Sequence, residues 1–213
     1  MRGDIIIVEE HHRAAASIIV DALLPAITAK QGRYTITVAG ESGSGKSEMA
    51  KALADELDRC DISAGILQQD DYFVHPPRTN HETRVADIGW VGTNEVHLDL
   101  LDEHLAAAIA GDDSIEKPLV IYEEDTIASE TMSLAGLEAL IAEGTYTSLL
   151  DNVDSRVFIA RNRLETMAAR KKRGRERMDP FIERVLEIEH EIISPHIELA
   201  DIVITRSYEV EFA

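Results

Sequence analysis

Residues 34–47 read YTITVAGESGSGKS, and this stretch decides the fold class. Its first six residues are mostly β-branched or apolar, which predicts a buried strand. The next eight, from Gly40 to Ser47, fit the pattern G-x-x-x-x-G-K-[ST], and apolar residues then recur at helical spacing from 48 to 57. A strand, a glycine-rich turn and a helix in this order predict a loop whose backbone N–H groups hold phosphate oxygens.

This loop is predicted to bind a nucleoside triphosphate and Mg²⁺. Lys46 is expected to reach the β- and γ-phosphates, and the Ser47 hydroxyl is expected to hold the metal ion. The chain contains no N-K-x-D motif and no LSGGQ-like signature, which argues against a GTPase and an ABC transporter. The other predicted nucleotide ligands of the loop and the helix start are Gly40, Ser42, Gly43, Ser44, Gly45 and Glu48.

The rest of the chain alternates between short apolar runs and amphipathic segments. This pattern predicts a three-layer α/β/α fold with a central parallel sheet. The chain divides into an N-terminal extension, residues 1–31, and a phosphate-binding domain, residues 32–213, with no linker between them. Further strands are expected at 64–68, 119–122, 137–142, 156–160 and 202–205, with a short one considered at 5–8. Helices are expected at 14–27, 96–110, 164–172 and 180–193, and a long polar loop at 71–94.

Charge and composition exclude several classes of partner. The 213 residues include 40 acidic and 21 basic side chains, a net charge of −19, which argues against binding to a nucleic acid polymer or to an anionic membrane surface. A single cysteine and the absence of a long uncharged apolar run predict a cytoplasmic protein without a membrane span. One segment is the exception, because nine basic and only two acidic residues lie within 156–177. Such a segment is either a local anion site or a solvated helix face.

Other motifs resemble the uridine kinase and phosphoribulokinase group of P-loop kinases. After the loop and its helix, residues 66–73 read ILQQDDYF, similar to that family's Q-D-x-[FY]-[FY] at the end of its second strand. KPLVIY at 117–122, AEG at 142–144 and the arginine-rich segment follow in the family's order, so the resemblance covers about 34–205. It implies a P-loop kinase fold with a lid around 161–178. It also implies transfer of the γ-phosphoryl group of ATP, with Mg²⁺, to the hydroxyl group of a small molecule.

The resemblance also implies the catalytic residues. Asp70 ends a strand beside the loop, where ligands of parallel sheets bind, and is assigned as general base and metal ligand, with Asp71 as its near competitor. Glu143 is expected to act as the Mg²⁺ carboxylate. In the lid, Arg170 and Arg173 are expected to stabilise the transferring phosphoryl group, and Arg175 and Arg177 to bind the nucleotide. Purely structural alternatives stay open, in which Asp70 caps a turn and Glu143 is a solvated carboxylate at the end of a strand.

For the acceptor, the family places aromatic residues at the positions of Tyr72, Phe73 and Tyr122. The stretch 87–95 lies where uridine kinases carry an F-D-x-P-D-A-like ribose-binding segment, which this sequence does not match residue by residue. Asp87 and Asn94 are each expected to contact a sugar hydroxyl. Trp90, the only tryptophan, is expected either to stack on a base or to pack in the core.

Three functions follow from these observations. The preferred one is a kinase acting on a nucleoside 5′-hydroxyl. The second is a kinase of a sugar phosphate or another polyol, in which an acceptor phosphate is bound by His75, Arg78, His81 and Arg84. The third is a nucleotide-dependent regulatory ATPase or switch, whose N-terminal helix binds a protein partner. Residues 1–31 lie outside the resemblance, and their apolar face is expected to pack on the sheet or on a second subunit.

Overall fold

The computed structural model describes residues 6–167 and 180–213. Its helices are α1 Glu10–Ala29, α2 Lys46–Arg59, α3 Pro77–Ala86, α4 Leu98–Ala110 and α5 Pro180–Ile193. Its strands are β1 Tyr34–Gly40, β2 Ala64–Gln68, β3 Ser114–Ile121, β4 Thr126–Ser133, β5 Ala139–Gly144, β6 Ser155–Ile159, β7 Ile202–Ile204 and β8 Val210–Phe212. Most of the helix expected at 164–172 lies outside the described residues, as does Ile5. Residues 6–9 form no strand.

The central sheet has the strand order β2-β5-β1-β6-β7-β8. All neighbouring strands are parallel except β8, which runs antiparallel to β7. In the register of the sheet, Glu143 of β5 lies beside Gln68 of β2 on one side and Val38 of β1 on the other. The carboxyl ends of these strands therefore meet at one edge, where the phosphate-binding loop leaves β1.

Hydrophobic side chains cover both faces of this sheet. On one face, buried residues of α1 and α2 pack against β1, β5, β6 and β7 in one cluster. On the other face, α4, the end of α5 and the segment after β2 form a second cluster. Strand β1 is buried along its whole length, because it lies at the centre of the sheet with helices on both sides. The predicted three-layer α/β/α architecture is confirmed.

Helix α1 packs on α2 and extends the first helical layer. Its side chains Ala16, Ile19 and Val20 are buried against the first cluster, whereas Ile18 on the opposite face is 50% exposed. Within residues 6–167 and 180–213 it is the one helix long and apolar enough, by length and composition alone, to cross a membrane. A helix that buries one apolar face in a protein core passes the same test.

Two sequence predictions are wrong in this region. The strand predicted at 119–122 does not join the parallel sheet, because β3 pairs with β4 in a separate antiparallel hairpin. The stretch 71–94 is not one long loop, because it contains α3 and short 3₁₀ turns. Asp125, in the hairpin turn, accepts hydrogen bonds from the backbone N–H groups of Arg78 and Thr79 and so caps the first turn of α3.

Arg33 directly precedes β1 and links segments at the end of the sheet that lies opposite the phosphate-binding loop. The buried guanidinium donates hydrogen bonds of 2.8–3.1 Å to four backbone carbonyls at the end of α4 and before β5. The four acceptors are Ala108, Asp112, Leu134 and Leu137.

The variant Arg33→Met is expected to lower the free energy of unfolding by about 3 kcal/mol, because it removes the buried guanidinium that donates to four backbone carbonyls. Urea unfolding followed by circular dichroism measures this change. Arg59→Met is the control, since that side chain is 61% exposed and pairs with Glu56 on its own helix; a change of at most about 0.5 kcal/mol is expected there. Equal stability of Arg33→Met and the wild type would contradict the stabilising role assigned to Arg33.

Candidate active site

The phosphate-binding loop turns tightly between β1 and α2. Gly40 has a φ of 150°, and a Cβ atom there would lie 2.9 Å from the Ile159 carbonyl oxygen, so a side chain does not fit. Lys46, the first residue of α2, folds over the loop and donates to the carbonyl oxygen of Glu41 at 3.0 Å. The ammonium group therefore lies on the loop, at the N-terminus of α2. Its positive charge and the partial positive charge of the helix N-terminus both favour a phosphate group there.

A buried carboxylate closes one side of this loop. The Ser47 hydroxyl donates to Glu143 Oε1 at 2.9 Å, and the Gln68 amide donates to the same oxygen at 3.3 Å. Burial, followed by the negative charge of Asp70, raises the pKa of Glu143 to about 7, against the opposing effects of Lys46 and the two hydrogen bonds. Two neighbouring carboxylates and a hydroxyl form a site of oxygen ligands in which a cation is favoured.

The two adjacent aspartates after β2 have different surroundings. Asp70 is exposed, at the carboxyl end of the strand, and its charge acts on Glu143. Asp71 is buried, and its carboxylate accepts hydrogen bonds from Lys117 Nζ at 2.9 Å and from the Val120 N–H at 3.0 Å. Asp71 therefore anchors the β3–β4 hairpin, whereas Asp70 is the more exposed of the two carboxylates and acts on Glu143 through its charge.

A cleft of about 380 Å³ opens beside this carboxylate pair. One wall consists of Ser47, Gln68 and Glu143, and the hairpin supplies the opposite wall through Lys117, Leu119 and Glu130. Ile66 of β2 and the Asp71 carboxylate also line the cleft. Ile6, which precedes α1, also lines it. The N-terminal segment thus reaches the site, although nothing in the sequence pattern placed it there.

The aromatic residues expected around the acceptor occupy three different environments. Tyr72 is fully buried, and its hydroxyl bonds to His104 Nδ1 at 2.8 Å, so its ring belongs to the core rather than to the cleft. Phe73 is half-buried and pairs through its backbone with Val96. Tyr122, at the end of the hairpin strand, is 42% exposed. Of the three, Tyr122 is the ring most open to a ligand.

The loop after α3 holds the other expected acceptor residues. Asp87 is exposed, and its Oδ1 accepts from the Gly89 N–H at 2.9 Å. The half-buried Trp90 donates through Nε1 to the Asn80 side chain at 2.9 Å, and its ring centroid lies 5.5 Å from that of His75. Asn94 is exposed. Asp87 and Trp90 thus take part in contacts that shape the loop.

Helix α5 connects three parts of the site through polar pairs that no sequence pattern indicated. His190 Nδ1 lies 2.6 Å from Glu41 Oε1 in the phosphate-binding loop. Arg84 of α3 bonds to Glu189 at 3.1 Å and makes two bonds, at 2.5 and 3.0 Å, to Glu95, whose side chain is fully buried. Partners this distant in the chain are visible only once the fold brings them together.

A further pair links α5 to the segment after β6. Arg163 bonds to Glu183 at 3.1 Å and to Glu187 at 3.0 Å. The lid arginines expected beyond it lie outside the described residues, namely Arg170, Arg173, Arg175 and Arg177.

Within the parts of the chain that are described, no group of three or more His, Cys, Asp or Glu side chains is arranged to hold a metal ion. The Ser47–Glu143 pair still fits Mg²⁺, which typically binds through one or two protein oxygens together with water and substrate phosphates.

Comparisons with known proteins agree with this geometry. Residues 35–213 match the model of the Phosphoribulokinase / Uridine kinase family. The chain is 30% identical over 190 residues to a uridine kinase of Listeria welshimeri, covering 82% of this chain and 87% of the relative. It is also 30% identical over 194 residues to a bifunctional alpha-galactosidase/sucrose kinase of Mediterraneibacter gnavus, covering 84% of this chain but only 21% of that longer protein. The structure of a possible uridine kinase from Bacillus stearothermophilus superposes with a TM-score of 0.66 at 19% identity, covering 90% of this chain and 97% of that one, which shows a shared fold.

Proposed function

The chain belongs to the phosphoribulokinase/uridine kinase family, and from this premise we propose that it transfers the γ-phosphoryl group of ATP to a sugar hydroxyl, with the 5′-hydroxyl of a nucleoside as the first candidate acceptor. Membership makes it a kinase, that is, a phosphotransferase with an alcohol acceptor. It also favours an enzyme over the regulatory switch considered from the sequence. The identity of the acceptor and the roles of individual residues go beyond family membership, and we propose them.

The observation that carries the proposal is the exposed Asp70 carboxylate beside the Ser47–Glu143 pair. In the proposed reaction Asp70 accepts the proton of the acceptor hydroxyl, whose oxygen forms a bond to the γ-phosphorus while the bond to the β–γ bridging oxygen breaks and ADP leaves. Lys46 and the N–H groups of the loop hold the phosphates in line for this attack. In the lid, Arg170 and Arg173 are proposed to stabilise the transferring group, and Arg175 and Arg177 to bind the nucleotide.

Mg²⁺ is proposed to bind at the oxygen ligands of Ser47, Asp70 and Glu143. When bound, the metal ion would neutralise charge on the β- and γ-phosphates. The raised pKa of Glu143 supports this assignment, because a buried carboxylate beside a second carboxylate lacks sufficient positive charge around it. Ser47 orients Glu143 through the 2.9 Å hydrogen bond, so the two oxygens are held together before a ligand arrives.

Paired cations around the acceptor region favour an uncharged acceptor over a sugar phosphate. Arg84, one of the residues considered for an acceptor phosphate, is committed to Glu95 and Glu189. Lys117, in the cleft wall, is committed to Asp71 and Glu130. Cations that already face buried carboxylates have little positive potential left for a phosphate group. Among the residues considered, Arg78 is exposed and remains the one to test.

A free saccharide is the second candidate acceptor, and the contacts of Asp87 and Trp90 favour it. Asp87 is engaged in a hydrogen bond within its own loop and Trp90 in one to Asn80 of α3, which supports the view that the nucleoside-binding stretch of uridine kinases has no direct counterpart here. The likeness to a relative named as a sucrose kinase supports the same candidate.

An acceptor panel tests these proposals. The purified chain is incubated with ATP, Mg²⁺ and separate nucleosides, mono- and disaccharides, sugar phosphates or pantothenate, and phosphorylated products are detected by mass spectrometry. We expect a product from a nucleoside or a neutral saccharide and none from the matching sugar phosphate. Absence of product from every acceptor would overturn the proposed function.

The variant Arg78→Ala separates neutral from phosphorylated acceptors. Removing this exposed guanidinium is expected to leave the acceptor KM within about twofold for a neutral acceptor, whereas loss of a charge-assisted bond to an acceptor phosphate would raise KM by about tenfold or more. Steady-state kinetics at saturating ATP measure this, and the KM for ATP in the same variant serves as the control. A selective tenfold rise in acceptor KM would favour the sugar-phosphate alternative.

A further inference from the structure

The first turn of α1 packs against the phosphate-binding loop. His12 is only 5% exposed, and its Nε2 is the ring atom nearest to Gly45: a Cβ atom on Gly45 would lie 3.2 Å from it. Gly45 itself has a φ of 101°, in the left-handed region, and immediately precedes Lys46. The imidazole thus occupies the space beside one of the loop glycines whose positive φ a side chain would strain.

The hydrogen bonds of His12 define its tautomer. The Glu9 N–H donates to Nδ1 at 3.1 Å, so Nδ1 is the acceptor and the proton of the neutral ring is on Nε2. Burial, followed by the nearby charges of His11 and Arg161, lowers the pKa of His12 to about 4, so the ring is neutral at pH 7. Within residues 6–167 and 180–213 Nε2 has no hydrogen-bond partner, which leaves a buried N–H group directed toward the loop.

Tyr208 supports the same part of the loop from the C-terminal side. Its hydroxyl accepts from Arg161 Nη1 at 2.8 Å and donates to the Ser44 carbonyl oxygen at 3.3 Å. Its ring centroid lies 4.0 Å from that of His11 and 5.1 Å from that of His12. The backbone φ of Tyr208 is 64°, a conformation that is strained for a bulky residue and therefore needs compensating contacts.

We infer that His12, together with Tyr208, is a positioning residue of the nucleotide site, which fixes the Ser44–Gly45 backbone in the conformation that binds phosphate. The inference rests on the proposed use of ATP and assigns a role to α1, which precedes the family match that begins at residue 35. A loop that binds phosphate through backbone N–H groups depends on their fixed orientation, since none of them can adjust like a side chain. The buried Nε2–H group adds a partial positive charge beside that site.

The test measures binding of a non-hydrolysable ATP analogue to the full chain by isothermal titration calorimetry, without an acceptor. His12→Ala is expected to raise the Kd by about tenfold, because the loop loses both the packing and the N–H group. His12→Gln is expected to remain within about threefold of the wild type, because its amide can present an N–H group near the position of Nε2. Tyr208→Phe, which removes only the hydroxyl that holds Ser44, is expected to raise the Kd by about threefold.

Val20→Ala is the matched control on the same helix. Val20 is buried in the α1–α2 contact, and eight residues separate it from His12, about 12 Å along the helix. This variant is expected to lower the melting temperature while changing the Kd by less than about twofold. The inference is overturned if His12→Ala binds the analogue within twofold of the wild type, or if Val20→Ala weakens binding as much as His12→Ala does.

Kinetics separate positioning from a general loss of structure. In His12→Ala we expect the KM for ATP to rise with the Kd, while kcat at saturating ATP and the KM for the acceptor stay within about threefold. An equal loss in all three constants would overturn the inference. Failure of the proposed function is a distinct result, because the acceptor panel would then give no product although nucleotide binding still responds to His12.

Discussion

Replacing Asp70 with asparagine is expected to lower kcat by a factor of about 10²–10⁴, because the amide cannot accept the proton of the attacking hydroxyl. ATP affinity is expected to stay within about threefold of the wild type, since Lys46, Ser47 and the loop are unchanged. Steady-state kinetics with the acceptor found in the panel, together with calorimetric titration of the ATP analogue, measure the two effects. If the protein were a regulatory switch, Asp70→Asn would keep its binding to a protein partner, and there would be no acceptor phosphorylation to lose.

Asp71→Asn is the matched control for this experiment, because it makes the same chemical change one residue further along the chain. The Asp71 carboxylate lines the cleft but is already bonded to Lys117 and to the Val120 N–H, so its loss is expected to reduce stability much more than kcat of the folded protein. If Asp71→Asn lost catalysis and Asp70→Asn kept it, Asp71 would be the base and the assignment of Asp70 would be wrong.

The second large effect is expected at the buried ion pair between the hairpin and the segment after β2. The side chains of Lys117 and Asp71 are 6% and 4% exposed. Lys117→Met is expected to lower the free energy of unfolding by about 3–5 kcal/mol, because it leaves the Asp71 carboxylate buried without its cation. Chemical denaturation followed by circular dichroism measures this loss.

The double variant Asp71→Asn/Lys117→Met tests the physical reason. With both charges removed, most of the lost stability is expected to return, since the penalty lies in the unpaired charge and not in the absence of the pair. Lys51→Met serves as the surface control, because that side chain is 48% exposed and pairs with Asp55 on its own helix. A double variant as unstable as the single one would refute this account.

The sequence predicted those features that depend on local pattern. The apolar run before Gly40, the glycine-rich loop and the helical spacing after it act over a few neighbouring residues, and the structure has the strand, loop and helix at these places. The resemblance also led to Asp70 and Glu143, which the sheet brings to the same edge although 72 residues separate them in the chain. Parallel strands place their carboxyl ends together, so topology alone accounts for the shared position of these two carboxylates, and their roles stay predictions.

The features that were missed depend on contacts between distant segments. Helix α3 has a single buried side chain, Asn80, so it shows no apolar periodicity, and its N-terminal N–H groups are capped by Asp125 from the hairpin turn. Strand β3 has an apolar end that is also typical of a parallel strand, and only its pairing with the mostly exposed β4 makes it part of a hairpin. Neither partner is detectable from spacing within one segment.

The position of Trp90 makes the protein its own spectroscopic reporter. The chain has one tryptophan, and it is half-buried in the loop after α3, hydrogen-bonded to Asn80 and close to the ring of His75. Tryptophan emission therefore monitors this loop alone, whereas far-ultraviolet circular dichroism averages over all the helices and the sheet. Comparing the two signals during denaturation distinguishes local opening of the acceptor region from unfolding of the whole domain.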